Sequence, residues 1–152
     1  FLLRHVHPFE DSDVTLERFK EAYNGGLANG LGNLVSRVMK LCEDNLESAI
    51  DEPGGTQGHT EVAEALEKYS FNTALDLIFS FISATDERIT REEPFKLIKT
   101  DPIKGKMVLR ALAAEVWNIG MLLAPFIPET SEKILKAVRE NKKPENLFAR
   151  KD

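Results

Sequence analysis

The stretch Tyr23-Asn24-Gly25-Gly26-Leu27-Ala28-Asn29-Gly30-Leu31-Gly32-Asn33-Leu34-Val35-Ser36-Arg37 is at odds with itself. Phe19, Tyr23, Leu27, Leu31, Leu34, Val35 and Val38 recur at spacings of three and four, the signature of one helical face. Four glycines interrupt that face, each costing about 1 kcal/mol against alanine in a helix interior. Asn24, Asn29 and Asn33 add amides that compete for the backbone. Such a helix has a second purpose: something approaches its backbone closely, or a partner reads its polar stripe. Asn33 and Arg37 are four apart and share a face one turn from each other. Together they present many hydrogen-bond donors and one acceptor.

Outward from this stretch the chain reads as helices throughout. The first is expected from about 15 to 50, capped by Asp13 or Thr15, with residues 1–13 extended and polar. Pro53, Gly54, Gly55 and Gly58 read as a loop. Thr60 is expected to cap a short helix with Val62, Ala65, Leu66 and Tyr69 on one side. Ser70 opens the next, whose stripe is Phe71, Ala74, Leu75, Ile78, Phe79, Ile82 and Ile89, and Pro94 ends it. Residues 94–99 read as a short helix or single turn. Asp101-Pro102 is a helix start, a capping acid followed by proline at the first helical position. Met107 or Val108, then Leu109, Leu112, Val116, Ile119 and Leu123, form its stripe. Pro125 and Pro128 break it, and Pro128 opens a last helix to about 141. No useful length alternates with period two. The expected fold is an all-α bundle of about five helices.

The chain has 152 residues, 42% of them hydrophobic and 30% charged, which suits one globular domain. No apolar run approaches the roughly 20 residues that span a bilayer, so no membrane partner is expected. The single cysteine, Cys42, excludes an internal disulfide and a cysteine-cluster metal site; it reads as an apolar filler. The chain opens on Phe1 rather than methionine and reads as a piece of a longer protein. Its net charge of −5 is unevenly spread. Acids crowd residues 43–52, while Lys96, Lys99, Lys104, Lys106 and Arg110 form one basic cluster. Lys133, Lys136, Arg139, Lys142, Lys143, Arg150 and Lys151 form another. A basic patch binds RNA even on an acidic protein; a solvated lysine face is the plainer alternative.

The chain lacks a phosphate-binding glycine loop ending in Lys-Ser or Lys-Thr, a His-x-Gly-His, and a Lys-Met-Ser-Lys-Ser. Lys104-Gly105-Lys106-Met107 has no serine pair and falls early in a helix. His5, His7 and His59 are too scattered for a metal site or a triad, and read as loop or junction residues. Trp117 lies on or beside an apolar stripe and reads as core.

The opening stretch resembles the start of the anticodon-binding helical domain of methionyl-tRNA synthetases, which are class I aminoacyl-tRNA synthetases. The family pattern is Tyr-Asn-x-x-Leu-Ala-Asn-x-Leu-Gly-Asn-Leu-x-Ser-Arg. Tyr23, Asn24, Leu27, Ala28, Asn29, Leu31, Gly32, Asn33, Leu34, Ser36 and Arg37 match it. Phe1-Leu2-Leu3-Arg4 with Pro8-Phe9 and Asp11-Ser12-Asp13 is similar to the family's junction between catalytic region and helical domain. Phe71-Asn72-Thr73-Ala74-Leu75 to Ile82-Ser83, then Glu93-Pro94-Phe95-Lys96-Leu97, is similar to its third helix and following turn. Leu122-Leu123-Ala124-Pro125-Phe126-Ile127-Pro128-Glu129-Thr130 is similar to its late helix–proline–helix corner.

The resemblance implies that residues 1–13 are a remnant of that junction and 14–152 the anticodon-binding bundle. It implies a non-catalytic piece, without cofactor, of an enzyme that joins methionine to its tRNA using ATP in the cytoplasm. The implied partners are methionine tRNA with its CAU anticodon and the catalytic domain of the same chain. Asn33 and Arg37 then face the first anticodon base, a cytosine, whose O2 and N3 suit arginine donors and an asparagine amide. In the alternative, Asn33 bonds a neighbouring loop and Arg37 pairs with a carboxylate such as Glu93. The family's Pro-Trp pair is Pro94-Phe95 here; the ring keeps a π-face for stacking but lacks the indole N–H, and a plug at the bundle end is its other reading. Asp86-Glu87 departs from the polar or basic residues common at that point. The rival readings are the corresponding domain of a cysteine, leucine, valine or isoleucine synthetase, or a helical protein–protein module.

Overall fold

The computed structural model describes residues 1–6, 14–48 and 56–151. Its elements are α1 (Leu2–His5), α2 (Leu16–Ala22), a π-helical segment (Tyr23–Gly32), α3 (Asn33–Asn45), α4 (His59–Glu67), α5 (Phe71–Glu92), α6 (Pro94–Thr100), α7 (Pro102–Leu123) and α8 (Pro128–Arg139). Residues 16–45 form one rod, so six helical rods and a single N-terminal turn make up the described residues. The all-α architecture is as expected, with one helix more than expected.

α7 is the axis of the bundle. It packs against α3, α5, α6 and α8, and its second half, from Leu112 on, is buried nearly all round. Leu109, Leu112, Val116 and Ile119 meet Leu34, Val38 and Met39 of α3, Ile78 and Ile82 of α5, and Ile134 of α8 in one continuous core. Truncating a leucine such as Leu112 to alanine there costs about 2–5 kcal/mol. Val108 takes the inward position and Met107 points out. Cys42 and Trp117 are core residues; burial pushes the Cys42 thiol up to about 12, and Arg139 lies 5.1 Å over the Trp117 ring. Arg88 ties α5 to α7 by pairing with Glu92 and Glu115.

Several local expectations are corrected. The first rod ends at Asn45 rather than 50. Leu46 turns extended, and the Asn141 amide donates to the carbonyls of Cys42 and Leu46, a tertiary cap for the end of α3. Residues 49–50 and 51–55, with Pro53, Gly54 and Gly55, lie outside the described residues, as do His7 and Asp13. Thr15 caps α2 by accepting from the Arg18 N–H at 3.2 Å. Leu2–His5 is a helical turn, not extended. Thr60 is inside α4, whose cap is Gly58; a Cβ there would stand 2.4 Å from the Phe81 ring, and φ is +79°. Tyr69 leaves the α4 stripe for solvent. Ser70 occupies the cap position of α5 without a side-chain capping bond, whereas Asp101 does accept from the Lys104 N–H at 3.1 Å.

The conflict in the opening stretch is resolved by π-helical backbone, whose N–H groups reach back five residues. A Cβ on Gly30 would lie 3.2 Å from the Gly25 carbonyl, and one on Gly32 would lie 3.1 Å from that of Leu27. Each crowding oxygen belongs to the residue five positions earlier.

Candidate functional site

Asn33 begins α3 and is exposed, because Leu34, Val35 and Val38 take the inward face. Arg37 is one turn further. Its Nη1 donates to Asp86 Oδ1 on α5 at 2.6 Å, and both side chains keep close to half their surface in solvent. The carboxylate that meets Arg37 is therefore Asp86 and not Glu93, which pairs with Lys96 at 2.6 Å. Sequence reasoning missed this pairing, although Asp86 stood out as an unusual acid. Exposed pairs of this kind contribute little to stability, at most about 1 kcal/mol. Their effect is to orient: a guanidinium has five donors, and Asp86 occupies one edge of it.

Phe95 is set by a tight corner. Glu93 adopts φ +42°, Pro94 opens α6, and Phe95 follows with 47% of its surface exposed. Lys96 Nζ stands 5.9 Å from the ring centroid. α6 lies so close to α7 that a Cβ on Gly105 would be 2.8 Å from the Ile98 nitrogen. The ring is thus held out at one end of the bundle by backbone packing beneath it. Asn33 and Arg37 are neighbours on α3. Asp86, which holds Arg37, precedes the last residue of α5 by six positions, about 9 Å of rise, before the corner to α6. Among the described residues no hydrogen bond, ion pair or ring contact joins Phe95 to Asn33 or Arg37.

The asparagines and glycines of the opening stretch hold the C-terminal tail, a use that sequence reasoning missed. The chain after α8 folds back across it. Asn24 Nδ2 donates to the Lys151 carbonyl at 2.8 Å, and the Lys151 N–H donates to Asn24 Oδ1 at 2.9 Å. Phe148 meets Tyr23 edge-on at 6.1 Å, and its ring lies where a Gly32 Cβ would be, 3.3 Å away. On the other side, Gly26 admits the Phe79 ring, over which Arg4 stacks at 3.9 Å while pairing with Asp76. Gly26 and Gly32 thus receive close neighbours from elsewhere in the same chain, whereas nothing stands within 4 Å of a Cβ on Gly25.

His59 serves the scaffold. His59 Nε2 meets Asn118 Oδ1 at 2.9 Å, and Asn118 donates to the Gln57 carbonyl. Burial and the neighbouring Arg4 lower the His5 imidazole below its ordinary value. Among the described residues no three His, Cys, Asp or Glu side chains are placed to hold a metal ion, and no helix is long and apolar enough to cross a membrane.

A helical bundle with an exposed amide–guanidinium pair on one rod and an outward aromatic at the next corner has the parts for reading an unpaired nucleic-acid loop. Residues 57–151 match the family described as the anticodon-binding domain of tRNA ligases, and the chain belongs to that family. Over a longer span, which includes the opening stretch, it is similar to methionine–tRNA ligases. It is 30% identical over 147 residues to that of Brucella suis and 31% identical over 150 residues to that of Rhizobium meliloti. These alignments cover 89% and 91% of this chain but only 28% and 29% of the relatives. The fold is that of part of the Mycobacterium tuberculosis methionyl-tRNA synthetase in its free state. The TM-score is 0.87 at 22% identity, over 100% of this chain and 38% of the other.

Proposed function

We propose that this chain selects methionine tRNA by its CAU anticodon, on behalf of an enzyme that joins methionine to that tRNA using ATP in a catalytic region of the same protein. Translation in the cytoplasm is its setting. Asn33 and Arg37 face the first anticodon base, and Phe95 stacks on an anticodon base. What carries this reading is the exposed Asn33 amide one turn from the half-exposed Arg37 guanidinium, in an anticodon-binding domain whose relatives are methionine–tRNA ligases. Cytosine offers acceptors at O2 and N3; the guanidinium donors left free by Asp86 and the Asn33 amide are suited to that edge. Asp86 pins the Arg37 guanidinium before the RNA arrives, which lowers the ordering cost on binding.

Arg37→Ala is expected to weaken binding of a CAU anticodon stem-loop by about 1–3 kcal/mol, the worth of a good bidentate base contact. The same variant is expected to bind a stem-loop with a different first anticodon base as the unmodified chain does. Titrations of both loops at one fixed salt concentration check this. Equal losses for the two loops would show that Arg37 contacts phosphate and reads no base.

A further inference from the structure

A shallow groove runs between the middle of the first long rod and the returning C-terminal tail. Asn29, Asn33 and Ser36, four and three positions apart, line one wall; Lys143, Asn146 and Arg150 line the other. The tail wall is anchored at several points. Asn24 exchanges two hydrogen bonds with Lys151, Phe148 seats on Gly32, and the Lys143 N–H donates to Glu43 Oε2 at 3.4 Å. Among the described residues neither the Asn29 nor the Asn33 amide has a hydrogen-bond partner, and neither the Lys143 nor the Arg150 side chain has an ion-pair partner. Glu145 lies on its rim, and the Glu43 carboxylate reaches the Lys143 backbone at its edge.

Asn29, Asn33, Lys143 and Arg150 are all exposed, so two cations and two amides face one another across the groove with their donors open to an incoming anionic, acceptor-rich strand. We infer that this groove takes the sugar–phosphate backbone of the RNA loop beside the base that Asn33 faces, with Lys143 and Arg150 neutralising its phosphates. This rests on the anticodon reading above and extends it to the tail, which the opening stretch holds in place. An acidic peptide would match the cations, but it offers no unpaired base edge or 2′-hydroxyl to the amides. The tail thereby becomes part of the RNA site: the residues that anchor it act through Lys143 and Arg150.

The test is a titration of a CAU anticodon stem-loop at a series of salt concentrations, with the unmodified chain and the double variant Lys143→Gln, Arg150→Gln. Each phosphate contact on a single strand contributes about 0.7 to the slope of log affinity against log salt, so the variant is expected to lose about 1.4 from it. Its affinity at low salt is expected to fall in parallel for the CAU loop and for a loop with a changed first base. The conservative pair Lys143→Arg, Arg150→Lys is expected to restore the slope. Lys133→Gln, Lys136→Gln makes the same change of net charge on α8, off the groove, and is expected to leave the slope unchanged. A double variant with the original slope, or an α8 control that loses as much, would overturn the groove while leaving the anticodon reading standing. An unmodified chain that binds no stem-loop at low salt would overturn the anticodon reading itself.

Discussion

Replacing Gly105 with alanine tests the packing that presents Phe95. A glycine-to-alanine change inside a helix ordinarily stabilises by about 1 kcal/mol. Here the sign reverses. The added Cβ would stand 2.8 Å from the Ile98 nitrogen, 2.9 Å from its Cα and 2.9 Å from its Cδ1. Two of those three atoms are backbone, so no rotamer change makes room, and α6 must move off α7. Overpacking of this kind costs about 1–3 kcal/mol, and a rigid backbone obstacle puts it at the upper end. Subtracting the propensity gain leaves a net loss of about 2 kcal/mol. For a chain of this size that corresponds to a fall in Tm of about 4–8 °C. Because α6 carries Phe95, stem-loop affinity is expected to fall as well, measured at a temperature where the variant is fully folded. Thermal unfolding followed by circular dichroism gives the first number, and a fluorescence titration the second. A variant as stable as the parent, or more so, would refute the close approach of α6 to α7. A destabilised variant with unchanged RNA affinity would refute the claim that this contact positions the aromatic ring.

Three further outcomes are expected. Phe95→Ala costs little stability, since the ring is about half exposed, but weakens stem-loop binding by about 1–3 kcal/mol; a large loss of Tm with unchanged affinity would make Phe95 a plug of the bundle end. Cys42 resists a thiol reagent at pH 8 until the chain unfolds, because burial raises its thiol to about 12 from an ordinary value of 9. Since the unfolded thiol ionises first, stability falls between pH 9 and 12, with a slope approaching about 1.4 kcal/mol per pH unit that Cys42→Ala removes; chemical denaturation across that range measures it. Asn24→Ala releases the tail, so limited trypsin cleavage at Arg150 and Lys151 is expected to be faster with little change in Tm; an unchanged cleavage rate would mean that the paired hydrogen bonds to Lys151 do not hold it.

Helix type and order were legible because they rest on local signals. The stripe of α5, the Asp101-Pro102 start and the Pro128 restart depend on residues within a turn or two of each other, and all three appear where the sequence places them. The errors fall where a distant residue decides. The first rod stops at Asn45 because Asn141, far along the chain, supplies the cap. The cap of α4 is Gly58 and not Thr60, a glycine because φ is +79° and the Phe81 ring leaves no room for a side chain there. Asn33, Arg37 and Phe95 were picked out as candidates through the resemblance of their motifs, and the exposure of all three is compatible with that role. The partner of Arg37 was not legible: Asp86 and Glu93 are seven positions apart, about two turns along the same face, and only the level at which α3 crosses α5 decides which carboxylate meets the guanidinium.

The amino-acid sequence alone determined that this chain is an all-helical bundle, because hydrophobic period and proline positions are properties of short segments; the anticodon-binding kind was implied by the resemblance of its motifs. It also marked the glycine-rich stretch as more than a plain helix, one that either admits a close neighbour or offers its polar stripe to a partner. Which neighbours come, Phe148 at Gly32 and Phe79 at Gly26, was decided by the tertiary structure. So was the return of residues 142–151 over a motif more than 100 positions earlier. Contacts at such separation leave no periodic trace in a sequence; they exist only once loop closure and packing of the whole core have brought the two segments together.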